Sequence, residues 1–150
     1  MQNGDTKHIW KLLDLVPDPE IPVISVVELG VIRDITFADR FFTILITPTY
    51  SGCPAVKTFT DDIKKCLKEN GIRNFKIKLI YSPAWTTEWM TEKTKKKLKK
   101  YGIAPPGETV VCPQCNSKKT QLISQFGATA CKAMYKCSDC LEPFEFFKCI

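Results

Sequence analysis

Apolar positions between Thr6 and Val16 recur at helical spacing: Ile9, Leu12, Leu13 and Val16 share one face, Asp5 or Thr6 can cap, and Pro17 stops the pattern. The following PDPEIP, residues 17–22, holds three prolines in six positions, so it reads as a stiff loop able to hold Asp18 and Glu20 in place. After Gly30, VIRDITF and FFTILITP are two β-branched runs joined by the short polar ADR, the pattern of a hairpin. From Ala55 the positions Val56, Phe59, Ile63, Cys66 and Leu67 fall every three or four residues up to Asn70-Gly71, which predicts an amphipathic helix with a well-formed C-terminus. FKIKLIY at 75–81 places Phe75, Ile77, Leu79 and Tyr81 on one face of a strand. Strand, helix and strand in succession predict that this third strand runs parallel to a hairpin strand through a right-handed crossover.

The expected fold class is therefore α/β or α+β. It is a small three-stranded sheet with packed helices, followed by a C-terminal zinc ribbon. Pro105-Pro106-Gly107 reads as the linker, giving domains at 1–104 and 105–150. Ahead of it, SPAWTTEWM puts two tryptophans beside a proline, with Met90, Leu98 and Tyr101 expected to face inward. Those tryptophans suit either a partner platform or, as the plainer reading, core packing at a helix start.

Length and charge narrow the function. The 150 residues allow one ordinary domain and a small appendage. No apolar run approaches the roughly 18 residues needed to span a bilayer, and MQNGDTKHIW lacks the apolar stretch of a secretory leader. A cytoplasmic, non-membrane protein is expected, with its eight cysteines reduced and serving as thiols or metal ligands. The net charge of +6 is uneven, because TEKTKKKLKK at 91–100 carries six of the 22 basic residues. A basic helix near tryptophans and a ribbon motivates a nucleic-acid reading, but a solvated helix face is the favoured one.

Cys112-Pro-Gln-Cys115 and Cys137-Ser-Asp-Cys140 are two Cys-x-x-Cys pairs separated by 21 residues, near the spacing of a tetrathiolate zinc site. Two intervening residues let one tight turn aim both sulfurs at one ion. Four thiolates leave no open coordination position, so the metal is expected to fold the tail rather than catalyse. Iron in a rubredoxin-like centre and a redox dithiol use the same pairs. The chain has no glycine-rich dinucleotide loop that would dock an electron-transfer cofactor. The roles of Cys131 and Cys149 stay open between packed thiols, a second pair and substitute ligands. Cys66 lies on the apolar face of its helix and reads as core.

Cys53 stands in TPTYSGCPA directly before Pro54, which makes it the expected N-cap of the helix that follows. A thiol there would meet unpaired amides and the positive end of the helix dipole, both favouring thiolate. Asp18 and Glu20 would flank it if the proline-rich loop packs against the same helix start, although each acid also suits loop capping. The single histidine, His8, sits on the first helix, far in sequence from any nucleophile, so a hydrolase triad is not expected.

Taken in order, LLDLVPDPEIPVISVVELGVIRDI, TPTYSGCPA and SPAWTTEWM resemble the small iron-sulfur assembly family that includes SufT, over residues 6–106. With YGIAPP and the tail, including GATACKA and EPFEFFKC, nearly the whole chain resembles the PaaD family associated with the phenylacetyl-CoA epoxidase system. The resemblance implies a role in maturing an iron-sulfur or iron centre of a client, with Cys53, Asp18 and Glu20 at matching family positions. It implies an oxygenase or reductase subunit of the epoxidase as partner, and an accessory rather than catalytic role. A stoichiometric structural or regulatory subunit is the alternative. A lone thiol gives only a transient iron site, hence a carrier, an adaptor or a homodimer-bridged intermediate is expected.

Overall fold

The structure, a computed structural model, describes residues 6–49 and 55–148. Its contacts divide into two compact units, Met1–Trp85 and Thr86–Ile150.

In the first unit, α1 (Thr6–Leu13) buries Ile9, Leu12 and Leu13. It ends three residues before the expected Val16 because its last turn tightens: the Leu15 and Val16 amides bond to Leu12 and Leu13 carbonyls, at 3.1 and 3.0 Å. The following Pro17 disfavours α geometry in the residue before it. A short helix, α2 (Val26–Leu29), is too brief to show in the periodicity, yet its capping box is explicit. Ser25 Oγ accepts the Glu28 amide at 3.0 Å and Glu28 Oε1 accepts the Ser25 amide at 3.1 Å.

The hairpin is as expected: β1 (Ile32–Ala38) and β2 (Phe41–Ile46) pair antiparallel across Asp39 and Arg40, both at positive φ (53° and 67°). Two such residues form the turn whose twist matches the strands it joins. Helix α3 (Val56–Glu69) buries Phe59, Ile63 and Leu67 and returns the chain to β3 (Phe75–Leu79), which pairs parallel to β2 in the order β1-β2-β3. One face of this sheet carries Ile35, Phe42 and Ile44, all buried together with α1 and α3 side chains. The β3 face is only half covered: Phe75 and Ile77 are half-buried, while Leu79 and Tyr81 are exposed. Trp85 is core, 2% exposed, its indole N–H donating to the Leu29 carbonyl at 3.1 Å.

In the second unit, Thr91 caps α4 (Glu92–Tyr101) through a 3.2 Å bond from the Thr94 amide. Leu98 and Thr94 are fully buried and Met90 is buried, but Tyr101 is 47% exposed, contrary to expectation. Its spacing continues the Thr94–Leu98 stripe, but it is the last residue of the helix, and Gly102, at φ 99°, turns the chain away directly after it. Strands β4 (Ile103–Ala104), β5 (Thr120–Ser124), β6 (Lys132–Cys137) and β7 (Pro143–Phe147) form a sheet of order β4-β7-β6-β5. The parallel β4–β7 pairing joins Ile103 and Ala104 to Glu145 and Phe146. Pro105-Pro106-Gly107 is thus a loop inside this unit, and the contact boundary lies earlier than 104/105. Ala104, Cys112, Cys137, Phe144 and Phe146 form one buried cluster in this unit, with Tyr135 meeting Phe146 edge-on at 5.6 Å.

An ion pair between buried Lys132 and half-buried Glu145 locks one end of this sheet. Lys132 is 3% exposed, and its ammonium lies 3.5 Å from Glu145 Oε1, while Glu145 Oε2 accepts the Ala128 amide at 2.9 Å. A Cβ at Gly127 would overlap that carboxylate. Removing Glu145 would strand the buried Lys132 charge. Glu145→Ala is expected to lower the unfolding free energy of the metal-loaded ribbon by about 3 kcal/mol in denaturant titration. A change within about 0.5 kcal/mol, as at ordinary surface positions, would show that the pair contributes nothing.

Candidate metal centre

The two Cys-x-x-Cys segments fold as near-equivalent knuckles. In each, the first cysteine's amide donates to the carbonyl five residues on, Cys112 to Ser117 and Cys137 to Glu142, both at 2.9 Å. Its carbonyl accepts the amide four residues on, from Asn116 at 2.9 Å and Leu141 at 3.0 Å. Those two residues close the turns at positive φ, 66° and 68°. Asparagine adopts that region readily, whereas leucine does so under strain. Amide–sulfur bonds orient the thiols: Gln114 donates to Cys112 Sγ and Cys140 to Cys137 Sγ, each at 3.4 Å. The Ser117 hydroxyl hydrogen-bonds Asp139 across the knuckles.

As a result the sulfurs of Cys112, Cys115, Cys137 and Cys140 all lie within 4.8 Å of one another. Cys112 and Cys140 are 3.7 Å apart, Cys115 and Cys137 3.5 Å. Zinc–sulfur bonds of about 2.3 Å set tetrahedral edges of about 3.8 Å, so these spacings fit one four-coordinate ion. The thiols share protons unevenly. The Cys140 amide bond, acting against burial, brings Cys137 down to about 6. The Glu142 amide bond lowers Cys140, but burial and the neighbouring thiols outweigh it and push that thiol up to about 12. Four negative sulfurs this close need a cation to ionise together, and the ribbon is a metal-binding unit.

Among the described residues Cys131 lies outside that cluster: it is buried, its sulfur 3.0 Å from Thr129 Oγ1. Cys149 and Cys53 fall outside the described residues. The capping role expected of Cys53 therefore lies outside the described residues; Ala55, directly before α3, has αR geometry and no side-chain cap bond. The Phe59 amide donates to the Ala55 carbonyl at 3.0 Å. Cys66 is half-buried, its thiol donating to the Leu12 carbonyl at 3.4 Å, and burial, then the Glu69 charge, push its pKa up. His8 is exposed on α1.

Asp18 is 5% exposed, and its Oδ2 accepts the amides of Glu20 at 2.9 Å and Ile21 at 2.8 Å. The acid therefore shapes the proline-rich loop and fixes the half-buried Glu20 beside it. Sequence reasoning missed Thr47, a buried hydroxyl at the end of β2 with no hydrogen-bond partner among the described residues. The TPT triplet that contains it carries no signal on its own.

Two family descriptions match in tandem: an iron-sulfur cluster assembly protein over residues 6–72 and the PaaD zinc β-ribbon domain over 99–148. An Escherichia coli K12 protein, provisionally named as one of the subunits of 1,2-phenylacetyl-CoA epoxidase, is 46% identical, over 95% of this chain and 92% of its own. An Fe-S protein maturation auxiliary factor of Porphyromonas gingivalis is 36% identical over 61% of this chain and 89% of its own. The crystal structure of a Bacillus anthracis domain of unknown function matches with a TM-score of 0.57 and 28% identity, over 61% of this chain and 89% of that one.

One metal ion per chain is expected, lost in Cys112→Ser and Cys137→Ser and kept in Cys131→Ser, by metal quantification of the purified variants. Chelation should abolish the cooperative unfolding of residues 86–150, since the site is that unit's main closure. Cys137's thiol lies below its ordinary value of 9.0, so its contribution is full above that value and is lost as pH falls through about 6. Metal release is expected to steepen over that same acidic range. A ribbon that keeps its native spectrum without metal would refute the assignment.

Proposed function

The chain belongs to the PaaD family, and from that membership we propose that it is an accessory factor of phenylacetate degradation. It assists maturation of an iron-sulfur or iron centre in the phenylacetyl-CoA 1,2-epoxidase complex. The observation that carries this reading is the tandem match of an iron-sulfur assembly domain and a PaaD ribbon in one chain, supported by near full-length similarity to a relative named as part of the epoxidase.

In this reading the ribbon holds structural zinc through Cys112, Cys115, Cys137 and Cys140. A closed thiolate site offers no coordination position to substrate, so the ion's work is to fold the unit that meets the partner. Iron or an iron-sulfur cluster is cargo. The Cys53 thiolate binds it as a single soft ligand, and one ligand gives the weak, reversible hold that transfer requires. The loop shaped by Asp18 places Glu20, whose carboxylate suits a harder, partly hydrated iron.

A second reading, a stoichiometric structural or regulatory component, is favoured by the naming of the E. coli relative as part of the epoxidase itself. Expression of the epoxidase with Cys53→Ala, in cells lacking any related assembly protein, separates the two. Loss of iron and acid-labile sulfide from the oxygenase or reductase subunits, with activity reduced by about tenfold, is the maturation outcome. Fully metallated, active enzyme with the variant chain tightly co-purified would establish the stoichiometric reading instead.

A further inference from the structure

The lysines of α4 do not all have the same surroundings. Lys95 reaches Glu92 at 3.5 Å, and Lys93 is exposed. Lys96, Lys99 and Lys100, at i, i+3 and i+4, instead line a groove of about 400 Å³ together with Pro113 and Gln114 of the first knuckle. Among the described residues none of these three lysines has an ion-pair partner, and no acidic residue lines the groove. The helix gains little from this arrangement, since like charges at these spacings disfavour it. Cations in a last turn complement the helix dipole, which accounts for Lys99 and Lys100 but not for Lys96 a turn earlier.

The knuckle side of the groove is held in place by the turn itself. The Gln114 amide donates to Cys112 Sγ at 3.4 Å, and the Asn116 amide closes the same turn on the Cys112 carbonyl at 2.9 Å. Gln114 Nε2 lies 4.0 Å from where a Cβ on Gly102 would stand. A side-chain amide with two hydrogens to donate therefore lies beside the end of α4, whose last turn carries two of the lysines.

Charge and size decide the occupant. Three ammonium groups and an amide donor, with no acid among them, select an anion. Lys96 and Lys100 are about 6 Å apart along the helix, four steps of about 1.5 Å. That span seats one or two phosphates and not the long run that a nucleic-acid strand presents. No aromatic ring lines the groove, so it offers bases no stacking surface. A phosphate group concentrates nearly twice the charge of a carboxylate, so three cations on so short a span favour it over an acidic peptide. We propose that this groove binds the diphosphate of a small phosphorylated ligand, with Lys96, Lys99 and Lys100 neutralising its charge and Gln114 donating to a phosphate oxygen. The inference goes beyond the maturation reading and does not rest on it.

Calorimetric titration of the metal-loaded full-length chain at low salt, with ADP, inorganic pyrophosphate and adenosine, tests the site. ADP and pyrophosphate are expected to saturate at one per chain, and adenosine to give no binding heat. An affinity for ADP above that for pyrophosphate assigns the nucleoside a share of the contact; otherwise the diphosphate alone is read, and either result supports the site. The double variant Lys96→Gln, Lys100→Gln should weaken both ligands by about tenfold or more. Lys93→Gln, which removes one charge from the same helix outside the groove, should bind as wild type does. Glutamine is as good a helix former as lysine, so the melting temperature of each variant should not fall. No saturable binding of ADP or pyrophosphate, or equal weakening by Lys93→Gln and Lys96→Gln, overturns the proposal. Tighter binding of polyglutamate or of a single-stranded oligonucleotide through the same lysines also overturns it, giving the groove to an acidic peptide or to nucleic acid.

Discussion

Four sulfurs held within a few ångströms of one another impose the constraint on which the second unit depends: they cannot all be thiolate unless a cation sits among them. The knuckle turns fix the sulfurs through amide bonds, so the backbone geometry of both turns is already committed to the site. The buried cluster of Ala104, Cys112, Cys137, Phe144 and Phe146 takes in two of the ligand candidates, Cys112 and Cys137, so the site is packed directly into the unit's interior. Metal closure and core formation are consequently one event, which the small size of such ribbons requires. The Lys132–Glu145 pair works at the other end of the same sheet, fastening the loop before β6 where no metal reaches.

The first unit is built on a different principle. Its core is ordinary aliphatic packing of α1 and α3 against one sheet face, and it needs no ion to close. What the parallel crossover supplies is an end: β2 and β3 finish side by side, and the α2 region stitches that end to the proline-rich loop. Asp18 stabilises the loop from within by taking two amides, so the carboxylate is part of the scaffold whatever else it does, and Glu20 is placed by it.

Much of this was legible in the sequence because the signals are local. The three-to-four spacing of Val56, Phe59, Ile63 and Leu67 gives α3 almost to the residue, and the paired Cys-x-x-Cys segments give the cluster. The hairpin follows from two β-branched runs and a short polar turn. What escaped depends on partners distant in the chain. Strand β4 is two residues long and exists only because β7 is beside it, so a Pro-Pro-Gly stretch after it reads as a linker although it is internal. Tyr101 has the spacing of an inward residue, but spacing alone does not say where a buried stripe stops, and on α4 it stops at Leu98. The N-cap expected at Cys53 follows from the preference of proline for a first helical turn, and it lies outside the described residues.

Under the proposed function the two halves of the chain would face opposite problems in coordination chemistry. Four thiolates on rigid knuckles bind a soft ion tightly and leave it no vacant position, which suits a cation that must stay. A domain whose only thiols are Cys53 and the half-buried Cys66 cannot assemble a four-sulfur cluster by itself, so any iron it holds must share ligands with a client or a second copy. Shared ligation makes release a matter of exchange between competing ligands rather than of unfolding. In the proposed maturation role, closed thiolates in one unit would keep a resident metal from exchanging with iron carried by the other.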